Sequence, residues 1–312
     1  MRTPNALTVI ECNYRENSWK IDLTGEQPKI YDQLECFQHR RDVDTYKQDK
    51  TYETMGIPVE IEEIDYENYK QFRPSDGVMM NYSDLVCQGI EKGNAVLVST
   101  GLCMYAPAIV GGIQRAVGVD KKIGVVWIDA HADNRIAEKV PTSFVGIPLS
   151  TICGQTNESW RKSACGLQVP CEGENVLASD IRICDEESLR NMENVNMVHL
   201  TSSEFKDKNA WKAAVYALAE RVDAIYLSID MDILHNEFTP AYIKNVPGGH
   251  TVEVVMNNVR EVTGTGKVSA VSLFCCDFDT YGQNPELGEL TYHNGSRIIS
   301  AALEGWKGIP DK

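Results

Sequence analysis

The length, composition and charge of the chain are those of a water-soluble globular protein. Its 312 residues are 43% hydrophobic and 24% charged, which excludes a disordered, collagenous or coiled-coil chain. No run approaches the ~20 apolar residues of a membrane helix, and the polar start predicts a cytoplasmic protein. With 30 Lys and Arg against 45 Asp and Glu, the net charge is −15, so nucleic acid and membrane surfaces are not the expected partners.

Short apolar runs alternate with helical patterns along the chain. In chain order, the pattern predicts strands at 7–11 and 59–61, a helix from about 83, a strand at 94–99, a helix at 106–117, strands at 123–128, 176–178 and 198–200, a helix at 211–222, a strand at 224–229, a helix after 249, a strand at 268–274 and a closing helix at 298–306. This order predicts an α/β fold with about eight strands in a mostly parallel sheet and helices on both faces. No linker interrupts it, so we predict one domain over residues 1–312.

The ten cysteines are many for a cytoplasmic protein. None belongs to a Cys-x-x-Cys pair, which disfavours zinc ribbons and thioredoxin-type sites. A chain of this length does not need disulfides to stabilise its core. We therefore predict free thiols.

Five residues whose side chains commonly bind metals follow two of the predicted strands, at the point where each strand ends. They are Asp129, His131, Asp133, Asp230 and Asp232. Alternate residues of an extended segment point the same way, and ligands of parallel sheets bind beyond the carboxyl ends of the strands. Crowded carboxylates repel one another unless cations neutralise them, so the pair of clusters predicts a site for two divalent metal ions. Either cluster alone would fit ordinary caps and turns.

These segments resemble the two most specific motifs of the ureohydrolases, the arginase and agmatinase family. The matching segments are IDAHAD at 128–133 and SIDMDILHNEFTPA at 228–241, followed by Pro247-Gly248-Gly249. The resemblance implies a three-layer α/β/α arginase-like fold, two manganese ions, and hydrolysis of a guanidine or amidine carbon. It also implies that the five residues above are metal ligands, with Asp133 serving catalysis as well, and that the chain forms trimers or hexamers.

Cys103 is the first departure from the family pattern. The family has Gly-Gly-Asp-His where this chain has Thr100-Gly101-Leu102-Cys103. A thiolate is softer than an imidazole and prefers zinc or iron. We predict Cys103 as a metal ligand, which admits Zn²⁺, Fe²⁺ or Ni²⁺ besides Mn²⁺; the alternative is a packed core thiol.

Two further departures concern the substrate. Arginase-like chains have Asn-x-His-Gly where this chain has 143–146, with Val145 in place of the histidine, and a glutamate that pairs with the guanidinium where this chain has Cys275. We predict that Ser143, Cys275 and Asp277 contact the substrate, with Asp279 the alternative to Asp277 and a solvated loop the alternative for both. Since cysteine cannot provide a bidentate anion, ordinary arginine is not the expected substrate.

Two histidines are candidates for the general acid. His235 follows the second acidic cluster, and His250 follows Gly248-Gly249 at a predicted helix start. An imidazole titrates near neutral pH and can transfer protons there. A structural or exposed histidine is the alternative at both positions.

The sequence therefore predicts one of two classes of function. The first is a dinuclear metal amidinohydrolase that cleaves a linear C–N bond of a guanidino, amidino or ureido compound. The second is a catalytically impaired arginase-like protein that binds a small molecule or a partner, which the three departures favour and the five kept ligands disfavour. A deacetylase of related architecture is a weaker third class because its metal motif differs.

Overall fold

Thirteen strands build one large sheet and two small ones in the part of the chain that the structure describes. The structure is a computed structural model that describes residues 1–15, 19–36, 41–241, 246–274 and 285–311. The strands are β1 (Leu7–Glu11), β2 (Tyr14–Arg15), β3 (Lys20–Asp22), β4 (Lys29–Tyr31), β5 (Glu35–Cys36), β6 (Val59–Glu63), β7 (Ala95–Val98), β8 (Ile123–Ile128), β9 (Thr142–Ser143), β10 (Val176–Ser179), β11 (Val198–Leu200), β12 (Ala224–Asp230) and β13 (Val268–Phe274). Eight of them form a sheet in the order β11-β10-β8-β12-β13-β7-β1-β6, in which every neighbouring pair is parallel.

Helices cover both faces of this sheet. They are α1 (Arg41–Gln48), α2 (Pro74–Glu91), α3 (Ala106–Val117), α4 (Pro148–Ile152), α5 (Glu158–Ser163), α6 (Glu186–Glu193), α7 (Ser202–Lys206), α8 (Lys208–Arg221), α9 (Val252–Thr263) and α10 (Pro285–Gly305). Buried side chains of α2–α6 pack against one face and those of α1 and α7–α10 against the other. The predicted three-layer α/β/α fold is confirmed. Within the described ranges, no helix is both long and apolar enough to cross a membrane.

The central strands are apolar throughout because both of their faces are covered. In β8, Ile123, Val125 and Trp127 belong to one core, whereas Val126 and Ile128 belong to the other. This alternation is the period of two that extended backbone imposes. The two cores therefore fix the register of the strand that leads into the first acidic cluster.

Two predicted helices are longer than expected. The helix predicted from about residue 83 begins at Pro74, where the missing N–H of proline is tolerated in the first turn. Its first half packs closely, since a Cβ on Gly77 would lie 2.7 Å from the Tyr66 ring. The closing helix begins at Pro285 rather than 298 and ends before Trp306. By contrast, α3, β8 and β13 have the predicted bounds.

The strand order places the two acidic clusters side by side. Strands β8 and β12 are direct neighbours, with Ile128 opposite Ile229. The next residues along the two strands are Asp129 and Asp230, which lie at the same carboxyl edge. A polar site at this edge is what the topology of a parallel sheet provides.

Candidate metal centre

Asp129, His131 and Asp232 bring their side chains together at the carboxyl edge of β8 and β12. One ligand atom from each of the three lies within 4.8 Å of the other two. His131 Nδ1 is 2.7 Å from Asp232 Oδ2 and 3.6 Å from Asp129 Oδ1. Both carboxylates are buried, whereas the imidazole is partly open to solvent.

Backbone hydrogen bonds orient these carboxylates. The amide of His131 donates to Asp129 Oδ1 at 2.6 Å, and the amide of Ala130 donates to Asp232 Oδ1 at 2.9 Å. The amide of Asp232 in turn donates to Asp230 Oδ1 at 3.0 Å. The hydrogen bond from Ala130 to Asp232 thus joins the two clusters across neighbouring strands, in addition to the bonds within each turn.

The second oxygen of two carboxylates is left for another ligand. Asp129 Oδ2 and Asp232 Oδ2 are buried and accept no hydrogen bond from the described residues; the 2.7 Å contact of the latter with His131 Nδ1 lacks hydrogen-bond geometry. Buried polar atoms without partners are rare and costly. Two orphaned oxygens beside an imidazole form a donor set that suits a divalent cation.

The electrostatics of the cluster support the same interpretation. Burial raises the pKa of Asp129 well above its usual value, and the charges of Asp232 and Asp133 add to the effect. Burial likewise raises the pKa of Asp133 to about 7. Burial opposes protonation of His131, but the close contacts and negative charges of Asp129 and Asp232 outweigh it and raise its pKa to about 11. Without a metal the cluster therefore holds protons, which a cation would replace.

Cys103 lies beside the same cluster. It begins a short 3-10 helix, Cys103–Tyr105, after β7, and its side chain is buried and lines the site cavity. The thiol is 3.7 Å from the Val145 carbonyl oxygen and also hydrogen-bonds the Asp133 carboxyl, which lowers the pKa of that carboxyl against the effect of burial. Cys103 therefore contacts Asp133 of the acidic cluster while also packing in the core, and its role as a ligand stays a prediction.

An open cavity of about 630 Å³ adjoins the cluster. Its lining includes the predicted site residues Cys103, His131, Asp133, Ser143 and Asp230. Asp129 and Asp232 are covered beneath it. The cavity is large enough for a small organic substrate.

The comparisons with known proteins agree with this fold. Residues 29–299 match the Arginase family. The chain belongs to the arginase family. Among curated relatives, the arginase of Entamoeba histolytica is 22% identical over 253 residues, which cover 80% of this chain and 82% of that protein.

Two solved structures illustrate how far the family fold extends. The structure of Entamoeba histolytica arginase in complex with L-ornithine has a TM-score of 0.74 at 18% identity and covers 96% of this chain and 99% of that one. Formimidoylglutamase from Bacillus subtilis has a TM-score of 0.70 at 15% identity and covers 99% of this chain and 90% of that one. At such identities the likeness establishes the arginase-family fold alone.

The remaining predicted residues of this arginase-family site have other surroundings. His235 is exposed, with Nδ1 3.2 Å from Glu237 Oε1. His250 is fully buried, with Nε2 2.8 Å from Asp180 Oδ2. Neither is among the residues that line the cavity, and a general-acid role for either stays a prediction. The predicted substrate contacts Cys275 and Asp277, with the alternative Asp279, lie outside the described residues.

Three charged residues of the cavity wall are not among the residues predicted from the sequence. Arg135, Arg182 and Asp185 line the same cavity as Cys103 and His131. Arg135 pairs with Asp185 at 2.5 Å and with Glu187 at 3.0 Å. Arg135 follows the first acidic cluster by two residues, and this proximity in sequence could have identified it as a site residue. Nothing in the sequence places the turn that carries Arg182 and Asp185 beside that cluster.

Proposed function

We propose that this chain is a metal-dependent hydrolase that cleaves a linear C–N bond of a guanidino, amidino or ureido compound. The observation that carries the proposal is the convergence of Asp129, His131 and Asp232 within 4.8 Å beside an open cavity of about 630 Å³, which His131 lines. Family membership supports the reaction class, because arginase-family members are amidinohydrolases. The cavity supports a small-molecule substrate.

The residues of the site would hold two divalent ions, with manganese as the expected metal. The proposed ligands are Cys103, Asp129, His131, Asp133, Asp230 and Asp232. When bound, such ions activate water and polarise the carbon under attack. The softer thiolate of Cys103 is the reason for keeping zinc, iron and nickel as alternatives.

The protein's own groups would orient the substrate and handle protons. Ser143 lies in the cavity wall with Val145, where its hydroxyl can donate to or accept from a polar substrate. Asp133, with a pKa raised by burial to about 7 in the metal-free protein, is suited to take and return a proton at its carboxyl. Arg135 and Asp185 offer one charged group of each sign in the cavity wall.

We further propose that ordinary arginine is not the substrate. Val145 lines the cavity where the family pattern has a proton-carrying histidine, and an isopropyl group cannot exchange protons. Loss of one acid–base group typically lowers a rate by about 10²–10⁴. Urea release from arginine is therefore expected to be at least ~100-fold below that of an arginase assayed in parallel.

The second candidate is an arginase-like protein that binds a small molecule without turning it over. Cys103 in place of the family's histidine is the observation that favours it. Metal content separates the two functions, because the binder would have weakened metal affinity. We also propose that residues 1–312 form one domain; the cytoplasmic location and the trimeric or hexameric assembly stay predictions.

A screen for amine release tests the proposed function. The purified chain, loaded in turn with Mn²⁺, Zn²⁺, Fe²⁺ or Ni²⁺, is incubated with a panel of guanidino, amidino and ureido compounds that includes arginine. Turnover of one compound together with two metal equivalents per chain supports the hydrolase. A chain that binds no metal and turns over nothing contradicts it, and robust arginine turnover contradicts our account of Val145.

A further inference from the structure

Arg182 connects three segments that surround the acidic cluster. Its Nε donates to the Pro247 carbonyl at 3.0 Å, its Nη1 to Asp180 Oδ2 at 2.5 Å, and its Nη2 to the Asp232 carbonyl at 2.5 Å. Each nitrogen of the guanidinium thus bonds a different part of the chain. The side chain is 14% exposed and lines the cavity.

Asp180 accepts a hydrogen bond from Arg182 and is itself fixed by other contacts. Its side chain is fully buried, and its backbone has a φ of +58°, a left-handed conformation that aspartate tolerates better than most residues. Asp180 Oδ1 accepts from the Ser202 hydroxyl, and Oδ2 is shared by Arg182 and His250 Nε2. With the Asp180 carboxylate held by three hydrogen-bonding neighbours, the direction of the guanidinium is determined.

His250 belongs to the same arrangement through its backbone. Its amide donates to the Ile233 carbonyl at 3.0 Å, and its carbonyl accepts from the His235 amide at 3.0 Å. Gly249 has a φ of +113°, and a Cβ there would lie 2.5 Å from His235 N, so only glycine permits this approach. The segment before α9 therefore lies directly against the turn that carries Asp232.

The peptide groups on both sides of Asp232 are fixed by these contacts. Its amide donates to Asp230 Oδ1, its carbonyl accepts from Arg182, and its Oδ1 accepts from the Ala130 amide. The carboxylate can then direct only Oδ2 toward His131. Removing the bond from Arg182 frees the carbonyl side of this turn.

We propose that Arg182 is a positioning residue of the metal site, which acts by fixing the Asp232 peptide, and the proposal rests on the proposed function. The planar fork of arginine can serve three acceptors in fixed directions, whereas the ammonium of lysine is a flexible point charge. A lysine at this position keeps the charge beside the carboxylates and loses the geometry. Arg182→Lys therefore separates positioning from simple charge balance.

Titration calorimetry with Mn²⁺ alone on the full-length, metal-free protein is the test, with thermal unfolding of the same samples. For Arg182→Lys we expect Mn²⁺ affinity to fall by about 10–100-fold, the usual effect of losing a group that orients a ligand.

The matched control is Arg161→Lys. Arg161 is also buried and also donates to backbone carbonyls, those of Leu167 and Gln168, but it does not contact the cluster. Its substitution should lower the unfolding temperature and leave Mn²⁺ affinity unchanged.

Every outcome decides the proposal. Unchanged affinity in Arg182→Lys overturns it, as does an equal loss in Arg161→Lys, which would make the effect one of general stability. If Arg182→Lys does not fold, Asp180→Asn takes its place, with weaker Mn²⁺ binding expected; normal binding, or a second failure to fold, overturns the proposal. If the unsubstituted chain binds no Mn²⁺, the proposed function fails with it, whereas equal binding by both chains contradicts this inference alone.

Discussion

His131 Nδ1 and Asp232 Oδ2 lie 2.7 Å apart at the carboxyl ends of neighbouring strands, with the carboxylate oxygen accepting no hydrogen bond. An imidazole nitrogen and a carboxylate oxygen that lie this close without a well-directed hydrogen bond between them can both bind a metal ion. The same carboxylate uses its other oxygen to accept from the Ala130 amide. The role of Asp232 in binding can therefore be separated from its role in the turn.

Asp232→Asn makes that separation. The amide oxygen can still accept from Ala130, but the negative charge is lost, so we expect tight binding of at least one metal ion to be abolished. The metal-free variant should be less stable than the parent chain, because the protonated imidazole of His131 loses the carboxylate charge that raises its pKa. Metal content by elemental analysis and unfolding temperature without metal are the two measurements. Full metal content in the variant would show that Asp232 is not a ligand.

Metal binding should release protons. In the metal-free protein, carboxylate neighbours raise the pKa of His131 to about 11, against the effect of burial, and burial raises that of Asp133 to about 7. A bound cation requires a neutral imidazole and ionised carboxylates. Affinity should therefore rise with pH, and more steeply below about pH 7, where Asp133 is also protonated and must lose its proton.

Calorimetry in buffers of different ionisation enthalpy measures this proton release. At neutral pH we expect at least one proton released per chain on metal binding. Asp133→Asn should flatten the pH dependence below about pH 7 while leaving the proton from His131. An affinity that does not change with pH would mean that these groups do not ligate the metal.

The fold was predictable where periodicity alone decides the structure. Strands such as β8 and β13 are buried on both faces, so their apolar runs identify them without tertiary information. The first half of α2 was missed because its close packing depends on Gly77 against Tyr66, a contact between segments that the sequence does not place together. The same distinction applies to the site, where residues in a local motif were predictable and residues placed by long-range contacts were not.

Asp129, His131 and Asp232 were identifiable because motif and strand end coincide. The histidines were harder to assign, since His235 and His250 look alike in sequence. Their environments differ in the folded chain, where His235 is exposed and His250 is buried against Asp180. Arg182 escaped attention for the same reason, because its partners lie on three separate segments.

The Asp180 network should contribute to stability in a pH-dependent way. Burial alone would raise the pKa of Asp180, but hydrogen bonds from His250 and Ser202 and the charge of Arg182 outweigh it and lower the pKa. A lowered pKa gives stability that is present above the unfolded-state value of about 3.9 and is lost as pH falls through the folded-state value. Asp180→Asn should therefore destabilise the protein by about 1.5–3 kcal/mol at neutral pH.

Urea unfolding of the parent chain and Asp180→Asn across pH measures this effect. The difference between them should shrink below about pH 4, where the aspartate takes up a proton in the unfolded parent chain before it does so in the folded one. Asp185→Asn is the comparison, because the pKa of Asp185 is also lowered, chiefly by a backbone hydrogen bond from Ser188, but its side chain is 49% exposed. If Asp185→Asn lowered the free energy of unfolding more than Asp180→Asn does, the stabilising role of the buried Asp180 network would be contradicted.

Cys103 should change its reactivity with metal. If its thiolate is a ligand, coordination deprotonates it and the bound ion shields it, so alkylation at neutral pH should be slow with metal and faster after chelation. Cys184 is the internal control, since it lines the same cavity and should label alike in both states; peptide mass spectrometry reads both sites. Cys103→His should shift preference toward manganese because imidazole is the harder ligand, and Cys103→Ser should weaken metal binding without changing the fold. Equal labelling of Cys103 in both states, together with full metal content in Cys103→Ser, would identify it as a packed core thiol and leave five protein ligands at the site.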